Sequence, residues 1–297
     1  MTSPRRGVLK GLAAGTMLGV ASPYFAWSQT MKQDPDLILM NGRITTLDPR
    51  QPEVEALTIA DGVILAIGSS AEIMRLAGEQ TQVVDLDRRR VIPGLNDSHT
   101  HLIRGGLNYN MELRWENVPS LAEGLRMLKD QAERTPAPQW VRVVGGWSEF
   151  QFAERRMPTL EEINQASPDT PVFILHLYGQ ALLNRAAIDA LGFDKDTPNP
   201  PGGEINRDGK GNPTGLLIAK PSALILYSTL ARGPMLPLED QINSTRHYMR
   251  EMNRLGITSV IDAGGGGQNF PEDYDVIQRL HDAGELTVRV AYNLFAQ

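Results

Sequence analysis

Val91-Ile92-Pro93-Gly94-Leu95-Asn96-Asp97-Ser98-His99-Thr100-His101 is the stretch on which the reading of this chain turns. An apolar run passes through Pro-Gly and ends in an acid followed by two histidines spaced by one residue. Along a strand, successive side chains point to opposite faces, so Asp97, His99 and His101 share one face while Ser98 and Thr100 take the other. Neutral imidazole nitrogens hold zinc and related divalent cations at about 2.0–2.1 Å, and a neighbouring carboxylate can orient a ring by accepting its second N–H. His99 and His101 are therefore candidate metal ligands and Asp97 a candidate orienting group. The plainer alternative is a polar strand end whose imidazoles are satisfied by backbone and water. Two histidines make only part of a catalytic centre, which needs further ligands and an open position for water.

The 297 residues are 41% hydrophobic and 22% charged, a composition and length that suit a globular protein of more than one domain. The net charge of −6 and the lack of any basic block longer than Arg88-Arg89-Arg90 argue against nucleic acid as a partner. Without cysteine there is no disulfide, no thiolate metal site and no cysteine nucleophile. Ser3-Pro4-Arg5-Arg6-Gly7-Val8-Leu9-Lys10, followed by the apolar stretch Gly11 to Ala26, resembles a twin-arginine export signal, with Val8 where phenylalanine is commoner. Ala26-Trp27-Ser28 offers small residues for cleavage before Gln29, which makes residues 1–28 the leader. Gly11, Gly15, Gly19 and Pro23 interrupt the stretch and weigh against the alternative of a membrane anchor. The resemblance implies recognition by the twin-arginine machinery and a periplasmic or extracellular location.

Residues Asp36 to Asp48 alternate apolar and polar groups around Asn41-Gly42, and Glu55 to Ala60 and Val63 to Gly68 flank Asp61-Gly62, a hairpin signal. With Gln82 to Leu86 these predict a small β-sandwich over residues 34–90. Leu121 to Glu133 has helical spacing, Trp140 to Val144 and Pro171 to Leu177 read as buried strands, and Pro198 to Pro213 reads as a loop. From Leu238 the pattern becomes helix (to Leu255), strand (Ile257 to Asp262), helix (Tyr274 to Ala283) and strand (Leu286 to Leu294), the order of a parallel sheet.

Several segments together resemble the amidohydrolase superfamily and, within it, amidohydrolase family 3, the group that includes N-substituted formamide deformylase-like enzymes. They are Leu39-Met40-Asn41-Gly42-Arg43-Ile44-Thr45-Thr46-Leu47-Asp48, the Asp97 to His101 motif, Gly145-Gly146-Trp147, Gly202-Gly203-Glu204-Ile205 with Arg207-Asp208, Pro213-Thr214-Gly215, and Gly256 to Gly264. The resemblance implies an α/β fold, a (β/α)8 TIM-type barrel that is incomplete in this chain, with an N-terminal β-sandwich and a large insertion after the first barrel strand. The first strand is then residues 91–101, the insertion 102–236, and the second and third strands with their helices 237–297. Later metal ligands and the catalytic aspartate are expected beyond Gln297, and the rest of the barrel is an expected partner if the chain is a fragment.

Three further residues enter by the same likeness. His176, in Val172 to Leu177, and Trp147, after two glycines at a strand end, are candidate substrate-pocket residues; a satisfied core histidine is the alternative for His176. Lys220 is a candidate carboxylated bridging ligand, against a surface lysine before a proline turn. Glu204 and Asp208 read as loop-structuring groups, and His247 and His281 as packed or solvated helix residues. The resemblance implies hydrolysis of a C–N bond other than a peptide bond in a small-molecule substrate (an amide, formamide or cyclic amide), with one or two divalent ions, zinc first. The reading from another class is a non-catalytic metal- or ligand-binding protein that keeps the fold.

Overall fold

Asp61 and Gly62 both take positive φ, 48° and 74°, as the two central residues of a tight hairpin turn require. The computed structural model describes residues 34–264 and 268–294, so the leader lies outside the described residues. It forms two units, one up to Pro93 and the other from Gly94.

The first unit contains β1 (Leu37–Met40), β2 (Arg43–Thr45), β3 (Glu53–Val54), β4 (Ala56–Ala60), β5 (Val63–Gly68), the helical turn α1 (Ser70–Ile73), β6 (Gln82–Asp85) and β7 (Arg90–Val91). The Asp61-Gly62 turn joins β4 to β5, with Ala60 opposite Val63. The strands form two sheets, ordered β5-β4-β1-β6 and β3-β2-β7. Leu39, Leu57, Ile59 and Val84 of the larger sheet share a core with Ile44, Val54 and Val91 of the smaller one. Alternation sends Ile38 and Ala56 to the other face, against Ile73 of α1.

The second unit begins with β8 (Leu95–Thr100) and α2 (Leu102–Asn108), continues through β9 (Glu112–Leu113), α3 (Leu121–Arg134), β10 (Val141–Val143), α4 (Leu160–Ala166), β11 (Val172–His176), β12 (Gln180–Leu183), α5 (Arg185–Leu191), β13 (Gly203–Arg207), β14 (Pro213–Ala219) and α6 (Leu224–Leu230), and closes with α7 (Leu238–Arg254), β15 (Ile257–Asp262), α8 (Asp275–Asp282) and β16 (Arg289–Tyr292). β8, β15 and β16 lie side by side in chain order, all parallel. Helices α2, α7 and α8 cover them through Leu102, Ile103, Met249, Met252, Val276 and Leu280, packed with Val260. At the start of β8, a Cβ on Gly94 would lie 2.1 Å from Thr258 Oγ1, so only glycine lets the chain approach β15 this closely.

The remaining strands form a six-stranded sheet ordered β13-β14-β12-β11-β10-β9. Its central strand β11 is buried throughout. Val172 and Ile174 join the core with Leu121 and Leu128 of α3 and Ile163 of α4, while Phe173 and Leu175 join the core with Ile188 of α5 and Leu226 of α6. Period-two alternation thus builds a layer of helices on each face.

The structure redraws several expected boundaries. The strand expected over residues 91–101 is divided: Arg90–Val91 pairs with β2, Pro93 closes the first unit, and β8 stops at Thr100. Leu102, where an insertion is expected to begin, opens α2, which buries Leu102, Ile103 and Leu107 with the parallel strands. The strand expected over Leu286 to Leu294 is confined to Arg289–Tyr292. The expected loop from Pro198 to Pro213 contains β13, paired antiparallel with β14, because Gly203 to Arg207 finds a sheet edge that its prolines and glycines flank but do not interrupt.

Candidate metal centre

β8 carries His99 close to its end, and His101 follows as the residue that starts α2, at φ −121° and ψ 63°. A residue in that place often caps the helix by accepting an N–H from its first turn, but the His101 side chain does not. Asp262, wholly buried at the end of β15, accepts in its place, with one carboxylate oxygen on the Ile103 N–H at 2.8 Å and the other on the Gly264 N–H at 2.8 Å. The Ala263 N–H also donates to the Thr100 carbonyl at 2.8 Å. The corner between β8 and α2 is therefore fixed by its neighbour strand, and the His101 imidazole is left free of capping.

The two imidazoles stand edge to face, ring centres 5.6 Å apart and planes at 79°. Rings that each place a nitrogen about 2.0–2.1 Å from one shared ion, near the tetrahedral angle, hold their centres roughly 5 Å apart. The observed separation is somewhat wider than that. His101 Nδ1 is moreover buried without a well-formed hydrogen bond, although the Gly264 backbone acts on the ring as a hydrogen-bonding group. Burial and the Arg104 guanidinium hold the His101 imidazole below its usual pKa, against the opposite pull of the Gly264 backbone and Asp262, which favours the neutral, ligand-competent ring. Asp97 engages the backbone: its carboxylate accepts the His99 N–H at 3.0 Å. Among the described residues no group of three or more His, Asp or Glu is placed to hold a metal ion.

A cavity of about 220 Å³ has His101 in its wall. Arg104, Glu112, Arg114, Arg142 and Tyr227 also line it. Arg114 pairs with Glu112 and lies 3.5 Å from Glu116, its guanidinium over the Tyr109 ring. Burial pushes the Glu112 carboxyl up to about 7, against the pull of Arg114, Arg142 and Arg104. None of these groups was singled out by sequence reasoning. The usable signal was Arg142, a charge at the centre of the short apolar strand Val141–Val143.

Residues 82–297 match the amidohydrolase family. The chain belongs to that family. It is 33% identical over 245 residues to Protein LONG AFTER FAR-RED 3 of Arabidopsis thaliana, covering 81% of this chain and 40% of that protein. It is 28% identical over 235 residues to N-substituted formamide deformylase of Arthrobacter pascens, covering 78% and 43%. This chain thus spans less than half the length of these curated relatives. Its fold is shared with the crystal structure of an uncharacterized metal-dependent hydrolase from Pyrococcus horikoshii OT3, at TM-score 0.59 and 23% identity over 87% of this chain and 48% of that one. One from Pyrococcus furiosus gives TM-score 0.58 and 24% identity over 87% and 50%.

In this member of the amidohydrolase family the three further residues proposed by likeness are held by the contacts that follow. Trp147, expected in a pocket wall, is fully buried, stacked with Phe152 and edge-on to Trp115, and its Nε1–H donates to the Leu175 carbonyl at 3.0 Å. The glycines before it turn it into the core of the six-stranded sheet. His176 is buried beside Trp147, Nε2 2.8 Å from Glu149 and Nδ1 3.2 Å from Gln180, so both ring nitrogens are satisfied. Lys220 is exposed and ion-paired with Glu204 across β13 and β14, and the apolar setting that would favour a carbamate is not there. Asp208 accepts the N–H groups of Lys210 and Asn212, as a loop-structuring residue does.

Proposed function

We propose that this chain forms the N-terminal portion of a metal-dependent hydrolase acting on C–N bonds other than peptide bonds, in an amide, formamide or cyclic amide. The observation that carries the reading is the edge-to-face pair of His99 and His101, with a buried Nδ1 on His101 that makes no well-formed hydrogen bond. These two residues would hold a divalent cation, zinc being the ion that neutral imidazoles suit well, in a centre of one or two ions. Bound there, the ion supplies a water ligand of lowered pKa and polarises a substrate carbonyl.

The chain's own residues set the conditions for that chemistry. Asp262 fixes the backbone on which His101 turns, and the Arg104 guanidinium helps to keep the ring uncharged. Leu175, Leu230 and Val144 give the adjoining cavity an apolar share that limits water, so charges in its wall act at lower dielectric. The three parallel strands would be the first of a barrel, and the aspartate that moves the proton to the leaving nitrogen is assigned to sequence beyond Gln297. The reading is tested by measuring metal content and hydrolysis of a panel of amides and formamides with the full-length protein and its His99→Ala and His101→Ala variants. Both should be lost together; turnover retained with unchanged metal would sink the assignment. Residues 1–28 are assigned to twin-arginine export, and replacing Arg5 and Arg6 by lysine should block export of a fused reporter.

A further inference from the structure

Arg142 occupies the middle of β10, and only 6% of it is exposed. One terminal nitrogen donates to Asn108 Oδ1 at 3.1 Å and the other to the Pro234 carbonyl at 2.8 Å, but its Nε is buried without a partner. Both acceptors are neutral. Arg114 in the same wall has its charge answered by Glu112 and Glu116. Arg104 lies over the Tyr227 ring at 5.2 Å, and among the described residues neither Arg104 nor Arg142 is in contact with a carboxylate; Glu112, opposite Arg142 across β9 and β10, acts on it at longer range while bonded to Arg114. A guanidinium taken out of water without a counter-charge is costly, and sites that keep one generally answer it with an anion. Beside Arg114, which Glu112 and Glu116 answer, the cavity wall carries two further guanidiniums, those of Arg104 and Arg142, and no second carboxyl.

We propose that this cavity receives the anionic group of the substrate, a carboxylate on a small organic acid amide, with Arg142 and Arg104 as its charged receptors. This rests on the hydrolase reading, since it names the substrate class of that site. The planar fork of a guanidinium matches a carboxylate, which it can hold through two parallel N–H bonds. At about 220 Å³ the space is that of roughly seven waters at about 30 Å³ each, room for a small acid and not for a polymer. His101 in the same wall places the opposite end of such a molecule toward the histidine pair. Phosphate shares the oxyanion chemistry but is not planar.

The test is equilibrium binding to the full-length protein in the presence of EDTA, so that no bound metal contributes. The probes are N-acetylalanine, N-acetylalaninamide and inorganic phosphate, at up to millimolar concentration. The acid should bind at least tenfold more tightly than the amide, which differs only in lacking the negative charge. Arg142→Met and Arg104→Gln should each bring that ratio close to one; Arg104 is half-buried, so its variant keeps the test open if the β10 variant does not fold. Equal binding of acid and amide, no binding of either, or a ratio unchanged in both variants would overturn the inference. Phosphate binding without discrimination between acid and amide would overturn the carboxylate in favour of a phosphate site. Turnover assays separate this outcome from the reading it rests on. Hydrolysis of neutral amides with no preference for the acid defeats the inference alone; acid binding through Arg142 with no histidine-dependent hydrolysis of any amide defeats the hydrolase alone.

Discussion

Replacing Asp262 by alanine removes the acceptor for two buried backbone N–H groups, those of Ile103 and Gly264, each held at 2.8 Å. A buried donor left unpaired costs about 1–3 kcal/mol, so the variant should lose about 2–6 kcal/mol, a large share of the stability of an ordinary domain. Asp262→Asn keeps one carbonyl oxygen for one N–H and turns an NH2 toward the other, so its loss should fall between wild type and alanine. Because the Ile103 bond stands in for the cap that His101 does not provide, the α2 start should loosen and the metal affinity of the pair should fall with it. Urea unfolding followed by the buried tryptophans, with amide exchange read at Ile103 and Gly264, measures both effects. A loss below about 1 kcal/mol, with the Ile103 amide still protected, would refute the reasoning.

Glu112 gives a pH prediction. Its folded pKa of about 7 lies above the ordinary 4.5, so the folded state holds the proton more tightly, and the stability this provides is complete below pH 4.5 and lost as pH rises through 7. The difference is on the order of 3 kcal/mol, which Glu112→Gln should remove from the comparison of urea midpoints at acid and neutral pH; identical profiles in the two proteins would contradict it. Lys220→Ala, which breaks an exposed pair with Glu204, should change stability by no more than about 1 kcal/mol and leave the bound metal stoichiometry as it is. Loss of an equivalent of metal would return the lysine to the centre.

What could be read from the chain was what lies close together along it. Asp61-Gly62 declares its hairpin because the turn geometry is set by two adjacent residues, and β15 and β16 stand as parallel neighbours because a short connection through α8 leaves them little choice, whereas β8 reaches β15 only after the whole six-stranded sheet has intervened. The histidine pair is legible for the same reason. The cavity beside it is not, since Arg104, Glu112, Arg142 and Tyr227 come from separate segments that meet only after the six-stranded sheet has formed. Local pattern does not decide Trp147 or Lys220: glycines before an aromatic suit a pocket rim and a core equally, and the apolar run before Lys220 is a strand whose end reaches solvent. β13 was hidden because proline and glycine mark its flanking turns, and those turn signals outweigh the short run of strand between them.

The most direct measurement is X-ray absorption at the zinc edge of the zinc-loaded full-length protein and of its His99→Ala, His101→Ala double variant. Wild type should show imidazole scattering with nitrogen neighbours at about 2.0–2.1 Å, and the double variant should lose two of them or fail to retain zinc. An unchanged spectrum at unchanged zinc content would contradict the assignment of His99 and His101 as the first-strand share of a metal centre.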